Sequence, residues 1–309
     1  MSLARVAHAI SPTIQSYTNQ VAVLDSAPQF FYPLLCLAVD AGRAILSVSQ
    51  SGDLQTERKA DDSPLTRADR ASHEIIESGL RALTPSIPVL SEEGPPVSWN
   101  ERSGWDELWV VDPLDGTKSF ISQNGEYTVN IALVRRGAPV MGVIYAPVQD
   151  VAWAGIVGGA ARRFHGAELT GREAADHSAT ADSIGEPIRV RPRDERRITV
   201  IASRTHLNAQ TVAYIDRVAS TYPSVDIANV GSSLKLCRIA EGRADLYPRF
   251  APTNEWDTAA GHAILRAAGG DVYQAHPGQT DPFLDAGPRK PLRYNKPNLL
   301  NPSFIACAW

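Results

Sequence analysis

Cysteine is scarce in this sequence: Cys36, Cys237 and Cys307 are far apart and odd in number. That excludes a disulfide framework and a Cys-x-x-Cys zinc site, and a reducing compartment is expected. A basic excess is also missing. Lys and Arg number 30 against 34 Asp and Glu, a net charge of −4, which argues against a surface built for polymeric nucleic acid. A small anionic ligand remains compatible, because bound cations supply positive charge locally. No stretch reads as the roughly 20 apolar residues of a membrane span. The first 28 residues lack the apolar centre of a secretory signal and are expected to form a loosely ordered extension. The expected location is the cytoplasm, with peripheral contact at the inner membrane left open. No histidine pair has the spacing of a zinc hydrolase, and no internal repeat or low-complexity tract occurs.

What is present begins with helical periodicity. From Phe31 to about Ser49, Leu34, Leu37, Ala38, Ala41, Ala44, Ile45 and Val48 recur at three- and four-residue intervals, which marks one apolar helix face. A polar loop is expected over 53–63. A second helix starts near Thr66, with Ala68, Ala71, Ile75, Ile76, Leu80 and Leu83 on one side, and Pro85 and Pro88 stop it. Short apolar runs rich in β-formers predict strands over 87–90, 108–111, 127–134, 140–145 and 151–157, with a hairpin at Arg136-Gly137-Ala138-Pro139. Strands over 198–202 and 225–230 then alternate with helices over 208–220, 232–241 and 258–268, the last closed by Gly269-Gly270. The fold class is α/β. Its expected organisation is the extension over 1–28, a metal-binding half over 29–165, a linker or loop over 166–187, and a substrate-binding half over 188–309.

The chemistry concentrates at Asp112-Pro113-Leu114-Asp115-Gly116-Thr117. An apolar strand delivers Asp112 to its end, and Pro113 and Gly116 turn the chain there. Two carboxylates three residues apart, with the Leu114 carbonyl between them, form an all-oxygen donor set that suits Mg2+ rather than zinc. Gly116 and Thr117 add N–H groups and a hydroxyl of the kind that hold phosphate at helix starts. Glu92-Glu93 follow another strand. Asp257 precedes a first helical turn of Thr258, Ala259, Ala260 and Gly261, small enough to let a carboxylate reach a cation. Each feature has an innocent reading when taken singly: an Asx turn at Asp112, a helix cap at Asp257, a capping box at Thr66 and Asp69.

Read together, the segments are specific. They are Lys59-Ala-Asp-Asp-Ser-Pro-Leu-Thr-Arg-Ala-Asp69, Val89-Leu-Ser-Glu-Glu93, Val111-Asp-Pro-Leu-Asp-Gly-Thr-Lys-Ser-Phe120 and Gly125-Glu-Tyr-Thr-Val-Asn-Ile131, then Gly231-Ser-Ser-Leu-Lys-Leu-Cys237, Ala240-Glu-Gly-Arg-Ala-Asp-Leu-Tyr-Pro-Arg-Phe250 and Glu255-Trp-Asp-Thr-Ala-Ala-Gly-His262. In this order they resemble the inositol monophosphatase-like superfamily of metal-dependent phosphatases, and within it the CysQ-type 3'(2'),5'-bisphosphate nucleotidases. The resemblance runs from about residue 30 to the end, through Leu300-Asn-Pro-Ser-Phe304. Residues 1–28 and about 160–187 lie outside it.

The resemblance implies the layered α-β-α-β-α sandwich of the inositol monophosphatase and fructose-1,6-bisphosphatase type, with the site between the halves. It makes Glu92, Asp112, Asp115, Asp257 and the Leu114 carbonyl ligands of two or three Mg2+ ions, with Li+ inhibitory. Asp69 and Thr117 become the pair that orients and deprotonates the attacking water. Gly116, Thr117, His206, Gly231, Ser232, Lys235, Arg249 and Asp257 are the implied substrate contacts, with Lys235 and Arg249 supplying charge for a second phosphate. The innocent reading of His206 is a solvated loop, and of Lys235 a helix surface. Arg67 stands where the family usually has a small residue. Electrostatics agrees with a metal site: two carboxylates about 4 Å apart repel by roughly 4 kcal/mol at an effective dielectric near 20, so a cluster of them needs cations or protons.

The expected reaction is hydrolysis of adenosine 3',5'-bisphosphate (PAP) to AMP, or of its 5'-phosphosulfate analogue (PAPS) to APS, as a clearance step in sulfur assimilation. An inositol monophosphatase or another sugar-phosphate phosphatase is the nearest rival. Inositol-specific relatives tend to carry an acidic residue where this chain has Arg249. A bisphosphate sensor without turnover is the non-enzymatic alternative, against which the intact water-activating pair argues. Oligomeric state is left open.

Overall fold

The computed structural model describes residues 27–59, 62–170, 185–202, 208–275 and 289–309. Helix α1 (Ala27–Ser51) leads through a two-stranded ribbon, β1 (Glu57–Arg58) and β2 (Pro64–Leu65), to helix α2 (Arg67–Leu83). A seven-stranded sheet follows, built in sequence order. Its strands are β3 (Val89–Ser91), β4 (Glu107–Asp115), β5 (Thr128–Arg135), β6 (Ala138–Ala146), β7 (Val151–Ile156), β8 (Ala161–His165) and β9 (Glu186–Ile188). Short helices α3 (Trp99–Arg102), α4 (Thr117–Ile121) and α5 (Gly166–Thr170) interrupt it. Only the β3–β4 pair is parallel.

The second sheet has β10 (Arg197–Ala202), β11 (Ser224–Asn229), β12 (Leu246–Arg249), β13 (Asp271–Gln274) and β14 (Phe304–Cys307), in spatial order β11-β10-β12-β14-β13. Helix α6 (Ala209–Thr221) covers its outer face, while α7 (Leu234–Ala240) and α8 (Ala259–Ala268) lie between the sheets. With α1 and α2 on the far side of the first sheet, the layers run α-β-α-β-α, the expected sandwich.

Burial on both faces explains the unbroken apolar runs. In β4, Leu108 and Val110 point into the cluster shared with α7, α8 and the second sheet, whereas Trp109 and Val111 join the cluster under α1 and α2. Strands covered on both sides lose the apolar–polar alternation of a half-exposed strand. Close approach of α8 to the sheet depends on two glycines paired in register, Gly142 of β6 and Gly155 of β7. A Cβ on Gly142 would lie 2.3 Å from Ala260 O, and one on Gly155 would lie 2.8 Å from Ala267 Cβ.

Several expectations need correction. Gly166–Thr170, placed in a linker, is helical, and Glu186–Ile188 adds the edge strand of the first sheet; 171–184 lies outside the described residues. The polar loop over 53–63 contains β1. The C-terminal strands β12, β13 and β14, four residues each, are too short for the periodicity used to find strands. Phe30–Ser51, with a mean hydropathy of 1.5, is long and apolar enough to cross a membrane, contrary to the reading that no stretch approaches a span. In the fold half of that stretch is buried. Leu34, Ala38, Ala41 and Ile45 are core residues packed with α2 and the sheet. All three cysteines are free thiols. Ala27 and Pro28, placed in the N-terminal extension, already belong to α1; residues 1–26, and with them any membrane contact they make, fall outside the described residues.

Candidate active site

The first sheet does not stop at Asp112 as expected. Strand β4 continues to Asp115 with an extra residue between the two aspartates, since Asp112 pairs with Asn130 and Asp115 with Thr128. Residues three apart on a regular strand face opposite sides, and a bulge restores them to one side. Gly116 then turns into α4 at φ 95°, where a Cβ would be strained and would meet Glu126 O at 3.1 Å. Asp257 arrives from the other half, one residue before the N-cap of α8. The three carboxylates Asp112, Asp115 and Asp257 each offer an oxygen within 4.8 Å of the others.

Each of these carboxylates is held from behind. Asp112 Oδ1 accepts from Leu114 N at 3.0 Å. Asp115 Oδ2 accepts from Ser232 Oγ (2.5 Å), Ser233 N (2.7 Å) and Ser233 Oγ (2.6 Å). Asp257 Oδ2 accepts from Asn254 N at 2.8 Å. Burial, then Glu92 and Asp115, push the Asp112 carboxyl well above the usual range. Burial and then Asp115 push Asp257 up to about 8. A converging all-oxygen set so short of positive charge fits a hard divalent cation. Glu92 stands apart from the trio: Lys59 Nζ lies 2.7 Å from Glu92 Oε1 and 2.5 Å from Glu93 Oε1. Even so, burial leaves Glu92 raised and Glu93 at about 7.

Beside the trio, both readings of Thr66 and Asp69 hold at once. Asp69 Oδ2 closes a capping box with Thr66 N (2.7 Å) and Thr66 Oγ1 (2.6 Å), while Oδ1 accepts from Thr117 Oγ1 at 3.2 Å. Burial raises the Asp69 pKa. Thr117 Oγ1 also lies 3.4 Å from the Leu114 carbonyl. Arg67 points away, to Asp53 and Ser51.

A cleft of about 650 Å3 opens over these groups. Glu92, Asp115, Gly116, Thr117, Gly231, Ser232, Lys235, Arg249 and Asp257 line it, with Asp112 and Asp69 buried beneath. Lys235 is no surface residue. It is 8% exposed, donates to Ser232 O at 2.8 Å, stands 5.5 Å from the Tyr247 ring centre, and is lowered to about 8 by burial. Arg249 donates to Pro252 O at 3.1 Å. Ser232, at φ 50°, gives its hydroxyl to Asp115 rather than leaving it open to the cleft. His206 lies outside the described residues.

The inositol monophosphatase family model matches residues 30–303. The chain belongs to that family. It is 44% identical over 269 residues to the 3'(2'),5'-bisphosphate nucleotidase CysQ of Escherichia coli (strain K12), covering 87% of this chain and 95% of the relative. Identity to the CysQ of Salmonella typhimurium is also 44%, with the same coverage. The crystal structure of CysQ from Bacteroides thetaiotaomicron, described as a bacterial member of the inositol monophosphatase family, superposes with a TM-score of 0.74 at 45% identity, covering 89% of this chain and 96% of that one. Enzymes of this family are metal-dependent, and the aspartate trio is the matching feature of this chain.

Sequence reasoning missed the groups that orient the inositol monophosphatase-type carboxylates. Ser233 contacts Asp115, the Asp257 carbonyl and Asn130. Thr128 and Asn130 are buried polar residues on one face of an apolar strand, and Thr128 meets Ser232. Two polar residues spaced by two in a buried strand were a usable signal, because such groups need partners. Lys59 had no comparable signal.

Proposed function

We propose that the chain is a magnesium-dependent 3'(2'),5'-bisphosphate nucleotidase that removes the 3'-phosphate of adenosine 3',5'-bisphosphate in the cytoplasm, and acts likewise on the 5'-phosphosulfate analogue. The observation that carries this reading is a single cleft over the carboxylate trio with Lys235 and Arg249 among its lining residues. A bisphosphate has one phosphate to lose and one that anchors, and the cleft offers cations of its own for the second. The high identity to CysQ enzymes over most of the chain supports the same substrate class.

Asp112, Asp115 and Asp257, with Glu92 and the Leu114 carbonyl, would hold the metal. When bound it supplies positive charge that offsets the phosphate oxygens and eases deprotonation of water. The remaining work falls to protein groups. Thr117 Oγ1 directs its hydrogen to Asp69 Oδ1, so its lone pairs face outward to accept from a water. Asp69 Oδ2 is committed to Thr66, which leaves Oδ1 to receive the proton through Thr117, and burial makes that oxygen a better base. The water oxygen forms a bond to phosphorus, the bond to the ribose 3'-oxygen breaks, and that oxygen takes a proton from solvent, to which Asp69 returns its own afterwards. Sulfur assimilation is the metabolic setting, and Li+ is expected to inhibit. Phosphate release from adenosine 3',5'-bisphosphate, inositol monophosphate and fructose bisphosphate, each with Mg2+, tests the reading. The bisphosphate nucleotide should be preferred by at least about tenfold in kcat/KM; a preference for either sugar phosphate would overturn the assignment.

A further inference from the structure

Behind the cleft runs a chain of buried polar groups that the reaction above does not use. His262 lies in α8 among alanines, Ile264 and Leu265, and is fully buried. A buried imidazole needs partners for both ring nitrogens. Nε2 lies 2.6 Å from Asp271 Oδ1 on β13, and Nδ1 lies 2.9 Å from the Tyr294 hydroxyl. Burial lowers the His262 pKa, so the ring is neutral. Burial alone would raise Asp271, but its bond with His262 and the charges around it hold the carboxyl below its usual range. The tautomer follows: Nε2 carries the proton toward the Asp271 anion, and Nδ1 accepts from Tyr294.

With its hydrogen on His262 Nδ1, Tyr294 Oη accepts from Thr258 Oγ1, 3.3 Å away; that hydroxyl also faces Glu255 O at 3.3 Å and accepts from Asn301 Nδ2 at 3.0 Å. Asn301 belongs to the Leu300–Phe304 segment that the catalytic reading leaves without a role. Its amide reaches Asn254 O (2.7 Å) and Thr253 Oγ1 (3.2 Å), and its own N–H donates to Thr253 O at 2.8 Å. Asn254 N is the donor that holds Asp257 Oδ2. Thr258 sits at the N-cap of α8 without capping it by its side chain; its hydroxyl instead meets Tyr294, Asn301 and the Glu255 carbonyl. A continuous path therefore joins Asp271 on the second sheet to a carboxylate of the acidic trio.

We propose that His262 and Tyr294 are positioning residues for the phosphatase reaction, acting through Thr258 and Asn301 to fix the 253–258 loop and the direction in which Asp257 presents its oxygen. The inference rests on the metal-dependent reading of the trio. Groups standing behind metal ligands typically contribute about 10–100-fold to metal affinity or activity.

Tyr294→Phe tests it, because the ring stays and only the hydroxyl is lost. Tyr145→Phe is the control: its hydroxyl donates to Asp150 Oδ1 at 2.8 Å, within the cluster under α1 and away from the cleft. Tyr294→Phe removes the hydroxyl that meets His262 and Thr258, and Tyr145→Phe removes the one that donates to Asp150. Calorimetric titration of Mg2+ into the chelator-treated protein should show about tenfold weaker binding for Tyr294→Phe and wild-type binding for Tyr145→Phe. In phosphate release from adenosine 3',5'-bisphosphate, kcat should fall about tenfold for Tyr294→Phe with KM within about twofold. Should Tyr294→Phe fail to fold, Asp271→Ala at the outer end should show the same pattern at about threefold. Wild-type Mg2+ affinity and kcat in whichever of these two variants folds would overturn the proposal, as would equal losses in the Tyr145→Phe control. A wild-type protein that binds Mg2+ but releases no phosphate from the bisphosphate would sink the nucleotidase reading, while the Mg2+ titrations would still decide the role of His262 and Tyr294.

Discussion

The acidic and cationic groups of the cleft are held in different ways. Asp112, Asp115 and Asp257 each have an oxygen tied to a protein donor, and Asp115 has three such bonds to one atom. Their positions are set before any ligand arrives, at the cost of a crowding that raises Asp112 and Asp257. Arg249 donates to Pro252 O, and its buried Nε meets no acceptor among the described residues. Lys235 keeps one bond to Ser232 O. Donors are thus spent on orienting the carboxylates, while the two cations that stand beside Asp115 and Asp257 keep more of their own donors uncommitted. On the proposed reading the carboxylates hold a cation, and Lys235 and Arg249 meet an anion.

If the carboxylate trio is catalytic, breaking it should give the largest effect. Asp112→Asn or Asp115→Asn should lower kcat by at least about a hundredfold in phosphate-release assays at saturating Mg2+; near-normal turnover would remove these aspartates from the chemistry. Thr117→Ala should lower kcat by roughly thirtyfold with little change in KM, because its hydroxyl serves the water rather than the bound substrate. A raised KM at constant kcat would make Thr117 a phosphate ligand only.

At the cationic groups the effect should be smaller and substrate-dependent. Arg249→Ala should reduce kcat/KM for adenosine 3',5'-bisphosphate by about tenfold, since a charged hydrogen bond contributes about 1.5–3 kcal/mol. Hydrolysis of inositol monophosphate, which has no second phosphate, should be nearly unaffected. Equal losses on both substrates would place Arg249 in the scaffold rather than at the anchor.

The crowding itself predicts the subtlest effect, on stability. A carboxyl whose folded-state pKa is raised binds its proton more tightly in the folded than in the unfolded chain. Its contribution is complete below the unfolded value and is lost as pH rises through the folded one. With Asp257 at about 8 and Asp112 also raised, the melting temperature in EDTA should fall between pH 5 and pH 8. Saturating Mg2+ should narrow that fall. A chelated protein that grows more stable over the same interval would show that the trio is not crowded.

Much of this was legible in the sequence, for identifiable reasons. The long helices announced themselves because α1 and α2 keep an apolar face over many turns. Asp112, Asp115 and Asp257 were named as one set through the family resemblance, since DPLDGT taken singly also reads as a turn and Asp257 as a helix cap. The β4 bulge was not legible: it arises from pairing with β5, a property of two strands that neither strand's pattern carries. Lys235 was named as a substrate contact with a helix surface as its innocent reading, and its burial comes from the packing of α7 between the sheets. Lys59 was quoted as part of a motif, yet its bridge between Glu92 and Glu93 depends on a fold-back of more than thirty residues. Thr66 and Asp69 are instructive for another reason. Cap and catalytic pair were weighed as rivals, and the two oxygens of one carboxylate contact both partners.

The Gly142–Gly155 pair gives the molecule a place where function can fail at a distance. Helix α8 rests on bare backbone there, so the thickness of the joint between sheet and helix is set by hydrogen atoms alone. Even a methyl group at Gly142 would have to lift Ala260, two residues beyond Thr258 and three beyond Asp257. Every acidic residue would survive such a change, and the chain would still have its sheets and its core. The substitution most damaging to the acidic end need not therefore touch any charged residue, and a tolerated side chain at either glycine would require a compensating recession on the helix side.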